Sequence, residues 1–456
     1  MKDSNNFAEG SVFKHILKLA GPMIIAQLIN VLYNVIDRIY IGRIPDVATI
    51  AMSGVGLCLP IISIIIAFAN LFGMGGAPLC SIARGKGDLE EAEEIMANSF
   101  IMLVLFSFLI MLFGFLFKED LLWAFGASDE TFQYANDYIS IYLIGTLFVL
   151  LGLGLNSFIN SQGFAKYGML TVLIGAILNI ILDPLFIFVF DLGVRGAAFA
   201  TVLSQMVSAL WTLHFLTSKK TILKLRIERM RIKIVYIKKI ISLGLAGFMV
   251  AITNSIVSIV CNSTLSYYGG DMYIAIMTII NSIREIASLP GQNIANGTQP
   301  VLGYNYGACR NDRVIQGIKI STFMALFAMF FVWVIIITMP EMLINIFSDD
   351  IYLINHGVDA IRIYFAIFFM MAFQMVGQST AIGLGKAKQA IFFSIFRKVI
   401  IVAPLTIILP KYIGINGVFY AEMISHFIGG LACYVTMLLT IYKNLKNTVS
   451  RVIHEH

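Results

Sequence analysis

Long apolar runs separated by short polar breaks dominate the chain, and they limit what it can be. Read for windows near the roughly 20 residues that cross a hydrocarbon core, the sequence yields about twelve such runs. They extend from 17–41 and 49–75 near the start to 390–409 and 417–442 near the end, and only short loops lie between them. Stretches such as Ile101 to Phe117 and Val332 to Met339 do not alternate as the strands of a membrane barrel would. The pattern therefore predicts an all-α polytopic membrane protein of twelve transmembrane helices, with no segment left over for a soluble catalytic domain.

The same pattern occurs twice, at an offset of about 222 residues. Ala77-Pro78 through Arg84-Gly85 corresponds to Gln299-Pro300 through Tyr306-Gly307, and Gln162-Gly163-Phe164-Ala165-Lys166 to Leu384-Gly385-Lys386-Ala387-Lys388. Leu192-Gly193-Val194-Arg195-Gly196 matches Ile413-Gly414-Ile415-Asn416-Gly417. Two six-helix halves of the same topology imply parallel repeats about an axis along the membrane normal, an architecture in which transporters place a site between the halves. The plainer alternative is a duplication that only enlarged a bundle. The predicted organisation is an N-lobe at 1–217 (helices 1–6), a basic cytoplasmic linker at 218–239 and a C-lobe at 240–456 (helices 7–12).

Composition agrees with a membrane setting. The 456 residues are 59% hydrophobic and only 13% charged, with a mean hydropathy of +0.86, whereas soluble domains carry about 25% charged residues. The net charge of +6 is unevenly placed. Counted by alternate loops, 22 Lys and Arg fall on the side of the termini and 4 (Arg43, Lys118, Arg195, Lys411) on the other. By the positive-inside rule both termini are cytoplasmic, which fits an even number of spans and gives no reason to invoke nucleic acid. Nine of the basic residues lie in 219–239, where Ile222, Leu225, Ile232 and Val235 are spaced to face lipid headgroups. Asp3, Glu9, Lys14 and Lys18 precede an apolar run with no short hydrophobic region and cleavage site, so no cleaved signal peptide is expected. The five cysteines are scattered and point to neither disulfides nor zinc.

Ionisable residues inside such runs cost about 2.5–3.5 kcal/mol on insertion scales, so each needs a reason. In the first helix Gln27, Asn30, Asn34 and Asp37 form one polar stripe. In the fifth, Asn179 and Asp183 stand one turn apart before Pro184, which lacks a backbone donor. With Thr201 of the sixth helix, these oxygens can surround a hard monovalent cation, and two acids forced together can instead share a proton. Asp37 could alternatively pair with Arg38, and Asp183 could be a helix-end acid. The repeat counterpart of Asp37 is Cys261, so the acid pair belongs to the first half alone.

The second half has its own polar line, Asn281, Glu285, Ser288 and Gln292, beside Arg284. Glu285 either meets a cationic substrate or neutralises Arg284. Glu422 and His426, one turn apart on the last helix, read more naturally as an interhelical hydrogen bond than as a proton relay. Asn30, Tyr33, Asn34, Glu285, Gln292, Gln374 and Gln378 are the candidate lining of a substrate cavity, with Met371 and Met375 as adaptable apolar wall. Gly383-Leu384-Gly385-Lys386 lacks the phosphate-loop spacing, and no HExxH, GxSxG or His pair suggests an enzyme.

Leu19-Ala20-Gly21-Pro22, Asp37, Ala77 to Gly87, Gln162-Gly163, Asn179 to Pro184, Gly196-Ala197-Ala198 to Thr201, and Gln299 to Ala308 together resemble the multidrug and toxic compound extrusion (MATE) family, in its MepA-like bacterial branch. The resemblance implies two lobes forming a V-shaped central cleft and antiport of cationic or amphipathic compounds, with Na+ or H+ as coupling ion and no other cofactor. It places the cation-coupling site at Asp37, Asn179, Asp183 and Thr201. It also implies small organic cations and drugs as partners and a monomer in a bacterial inner (plasma) membrane; the chain departs from the pattern in lacking the C-lobe acids that some relatives carry in the seventh and tenth helices, where Cys261, Gln374 and Gln378 stand, which argues against a C-lobe sodium site. The rival within transport is a lipid-linked oligosaccharide flippase, which calls for a more cationic cavity.

Overall fold

A computed structural model describes residues 5–45, 47–348 and 350–454, so Asp3 of the signal-peptide argument lies outside the described residues. Among them the chain is helical, without strands. Eleven helices are long and apolar enough to span a membrane, and a bent pair makes a twelfth crossing. They are α1 (Val12–Ile41), α2 (Ala48–Gly85), α3 (Leu89–Ala124), the pair α4 (Asp129–Ile144) and α5 (Thr146–Ser161), α6 (Ala165–Val189) and α7 (Gly193–Thr217). The second series is α8 (Ile234–Gly270), α9 (Met272–Gly307), α10 (Asn311–Thr338), α11 (Ile351–Gly383), α12 (Ala387–Ile413) and α13 (Asn416–Ser450). This is the all-α polytopic membrane fold expected from the apolar runs. The run at 134–158 is where the continuous helix fails: α4 and α5 meet at 57° across Gly145, where a methyl group would collide with Val202 of α7.

The repeat is written into the backbone. Helices α3 and α10 begin about 222 residues apart, as do α6 and α12. Left-handed turn residues recur at the same offset as the pairs Gly87 and Cys309, and Gly163 and Gly385, with Gly193 and Gly414 one residue closer. Cys309 (φ 57°) takes a conformation that a side chain resists, because its place in the repeat is a glycine position.

The chain divides into two compact units, one gathering Ile25–Gly244 and the other Phe7–Ile24 with Leu245 onward. The opening of α1 thus groups with the second half. Arg313 explains part of this, since its guanidinium donates to the carbonyls of Phe7, Glu9 and Gly10. In the first unit α2 packs on α3, α4 and α5, and α7 on α5 and α6. Gly73 and Gly154 let α2 and α5 approach so closely that a methyl on Gly73 would lie 2.6 Å from the Gly154 carbonyl, the usual device where lipid gives no hydrophobic drive to association. In the second unit α13 packs against α11 and α12, and α10 against α11.

The basic linker is fastened to protein. Gln162 Oε1 accepts hydrogen bonds from the Thr221 hydroxyl (2.7 Å) and from the amides of Ile222 (2.9 Å) and Leu223 (2.7 Å). Acids at the start of α3 hold its far side: Glu93 pairs with Arg226 at 3.4 Å, Glu94 with Lys233 at 2.6 Å, and Glu90 with Arg229. Of the four residues spaced toward headgroups, Leu225 is buried and Ile222 half-buried, whereas Ile232 and Val235 are exposed.

Candidate functional site

In the first unit, α1, α4, α6 and α7 bring one polar cluster together. Asn179 and Asp183 share a face of α6 because they are one turn apart, and Asn179 Nδ2 donates to Asp183 Oδ1 at 3.1 Å and lies 3.4 Å from Thr201 Oγ1 of α7. After Pro184 the helix widens into a π-helical turn at Leu185–Val189, the kind of irregularity that accompanies functional sites in spanning helices. Asp37 of α1 stands beside Asp183. Tyr33 of α1 and Tyr138 and Tyr142 of α4 stand near the acids, and the last two stack with centroids 6.1 Å apart.

Asp183, Asn179 and Thr201 are buried and Asp37 is half-buried. Three acceptor oxygens here, Asp37 Oδ1, Asn179 Oδ1 and Asp183 Oδ2, are shielded from solvent and receive no hydrogen bond. Buried acceptors are ordinarily satisfied. Three lone acceptors in one polar cluster of two helices, two of them on carboxylates, suit a bound cation or a shared proton. No ion pair joins Asp37 to Arg38 among the described residues, so the local-pairing reading of Asp37 is not what its geometry displays.

The remaining sequence candidates separate. Tyr33 joins the acids, while Asn30 is half-buried and Asn34 exposed along α1. Glu285, Gln292, Gln374 and Gln378 all line one cavity of about 500 Å³ inside the second unit, together with Met371 and Met375. No ion pair joins Arg284 to Glu285 among the described residues. Glu422 makes the interhelical hydrogen bond expected of it, accepting from Lys398 of α12 at 2.9 Å with Arg397 3.5 Å away, while His426 Nε2 stays 3.8 Å from its carboxylate and has no hydrogen-bond partner among the described residues. Arg397 and Lys398 were missed by sequence reasoning. Their signal is an Arg-Lys step within the apolar run 390–409, which membrane insertion tolerates only with a partner.

The MatE family's sequence model matches residues 22–185 and 247–408, one stretch in each repeat and most of the chain. The chain belongs to the MatE family. It is 27% identical over 445 residues to the multidrug export protein MepA of Staphylococcus saprophyticus, covering 96% of this chain and 97% of that one. The Staphylococcus aureus N315 protein of the same name is 26% identical, with the same coverage of both. A MATE crystal structure in the bent conformation superposes with a TM-score of 0.92 over 98% of this chain and 99% of that one, at 24% identity, a likeness of fold. As a MatE member the chain is a multi-pass membrane transporter and not an enzyme.

Proposed function

We propose that this MatE protein exports organic compounds across a bacterial inner (plasma) membrane by antiport against Na+ or H+. Both termini are cytoplasmic in this reading. The observation that carries the coupling part is that Asp37 Oδ1, Asn179 Oδ1 and Asp183 Oδ2, acceptors of one polar cluster, are all buried and all without donors. Carboxylate and amide oxygens are the donor set for a hard cation, and Thr201 stands within reach of Asn179 to add a hydroxyl. The same acids can instead carry a proton between them. Either occupant neutralises charge that the surroundings otherwise leave unsatisfied, and its arrival from one side and departure to the other is what would bias the helices α1 and α6 between two arrangements. The cargo class follows the MepA relatives, proteins named for multidrug export.

The test is ethidium efflux from proteoliposomes of the full-length chain under Na+ and proton gradients imposed separately. Efflux driven by one gradient and collapsed by dissipating it is expected. Ethidium movement indifferent to both gradients contradicts antiport. The flippase reading draws on the cations Arg284, Arg397 and Lys398 at the second unit's cavity. Lipid-linked oligosaccharide translocation, with no ethidium efflux under either gradient, would favour it.

A further inference from the structure

The cavity of the second unit has the wrong sign for a purely cationic cargo. Arg284 of α9 and Arg397 and Lys398 of α12 line it, with Glu285 the one acid among its lining residues. Glu422 of α13 stands behind and is already engaged by both Lys398 and Arg397. Counting these five groups gives three cations against two carboxylates, and Arg284 forms no ion pair among the described residues. Arg397 is 4% exposed, yet its Nε has no hydrogen-bond partner. Its terminal nitrogens reach Gln374 Oε1 at 2.5 Å and Glu422 at 3.5 Å.

Adjacent residues on a regular helix point in different directions. Here the helix is widened into a π-helical turn at Phe396–Val402, and both Arg397 and Lys398 face the same cavity. Arg284 is half-buried on the cavity wall and has no ion pair among the described residues, so its guanidinium is left to an acceptor that enters the cavity. The rest of the wall fits a ligand: amides such as Gln378 for hydrogen bonds, Met371 and Met375 for an apolar body, and a volume of about 500 Å³, within the range of small-molecule sites.

We infer that this cavity binds the carboxylate or phosphate of a soluble organic anion or zwitterion, held by Arg284, Arg397 and Lys398, with Glu285 tuning its charge preference. This goes beyond the coupling site of the first unit and does not depend on it, since binding rather than transport is measured.

The experiment follows fluorescence anisotropy of 5-carboxyfluorescein on the purified full-length chain at low salt, with ethidium as the cationic control. The wild type binds the anion saturably. Arg284→Gln weakens it about tenfold or more, the worth of one charge-assisted hydrogen bond, and Arg284→Lys restores most of it. Glu285→Gln tightens the anion and weakens ethidium, a change of opposite sign that a folding defect does not imitate. No saturable binding to the wild type, or equal binding to Arg284→Gln and Glu285→Gln, overturns the inference. Short-chain phosphatidic acid separates the sources: a site that answers to the lipid and not to the soluble dye contradicts a soluble ligand. Gradient-driven ethidium efflux is read independently, so failure here leaves the antiport proposal standing.

Discussion

Asn179 donates a 3.1 Å hydrogen bond to Oδ1 of Asp183, one turn further along α6, and in doing so leaves its own carbonyl oxygen and the acid's Oδ2 without donors. The amide thereby fixes the carboxylate's orientation from below while both free oxygens remain available to whatever Asp37 shares with them. A hydrogen bond to a charged group contributes about 1.5–3 kcal/mol.

Asn179→Ala removes that orientation without disturbing an α-helix. The half-saturating concentration of the coupling ion in driven efflux is expected to rise about tenfold or more. Thr201→Val, which touches only the 3.4 Å contact, is expected to do less. Equal ion dependence in wild type and Asn179→Ala would remove Asn179 from the site.

Glu422→Gln leaves Arg397 and Lys398 buried against each other without their acid. Breaking a buried pair by removing one partner destabilises by about 3–5 kcal/mol. Thermal unfolding in detergent is expected to shift sharply downward for Glu422→Gln and little for Glu285→Gln, whose carboxylate is exposed and takes part in no ion pair among the described residues.

Gln162→Ala deletes the acceptor that gathers three donors from Thr221, Ile222 and Leu223. Trypsin cleavage after Lys219 and Lys220 is expected to accelerate several-fold, while the acids of α3 keep the distal linker at Arg226 and Lys233 in place. An unchanged digestion rate would mean that those salt bridges alone secure the segment.

Cys309 is the one exposed thiol among five free cysteines, the others being buried. An impermeant maleimide is expected to label it in inverted vesicles and not in intact cells, which checks the cytoplasmic placement of the termini; the reverse pattern inverts the topology. Cys309→Gly restores the glycine found at the repeat position and relieves a φ of 57°, with a gain of about 1 kcal/mol.

The helices were legible because each run must satisfy both lipid and its own backbone, and the Asp37, Asn179, Asp183 and Thr201 cluster because intramembrane polar residues are scarce enough to notice. The break at Gly145 was not, since an apolar run looks the same whether its helix bends or not. The charge arrangement of α12 and α13 escaped for another reason. Lys398 and Glu422 lie on different helices, and no local spacing says that an acid on the last helix answers two cations on the one before. The linker is similar: the acids of α3 resemble ordinary helix-start residues until their basic partners arrive from 226–233.

The central claim, that the acids of the first unit couple an ion to export, is tested most directly by ethidium efflux from proteoliposomes under the effective gradient, comparing wild type with Asp37→Asn and Asp183→Asn. The account predicts protein that reconstitutes normally and loses gradient-driven efflux in either variant. Full gradient-driven efflux in both would contradict it.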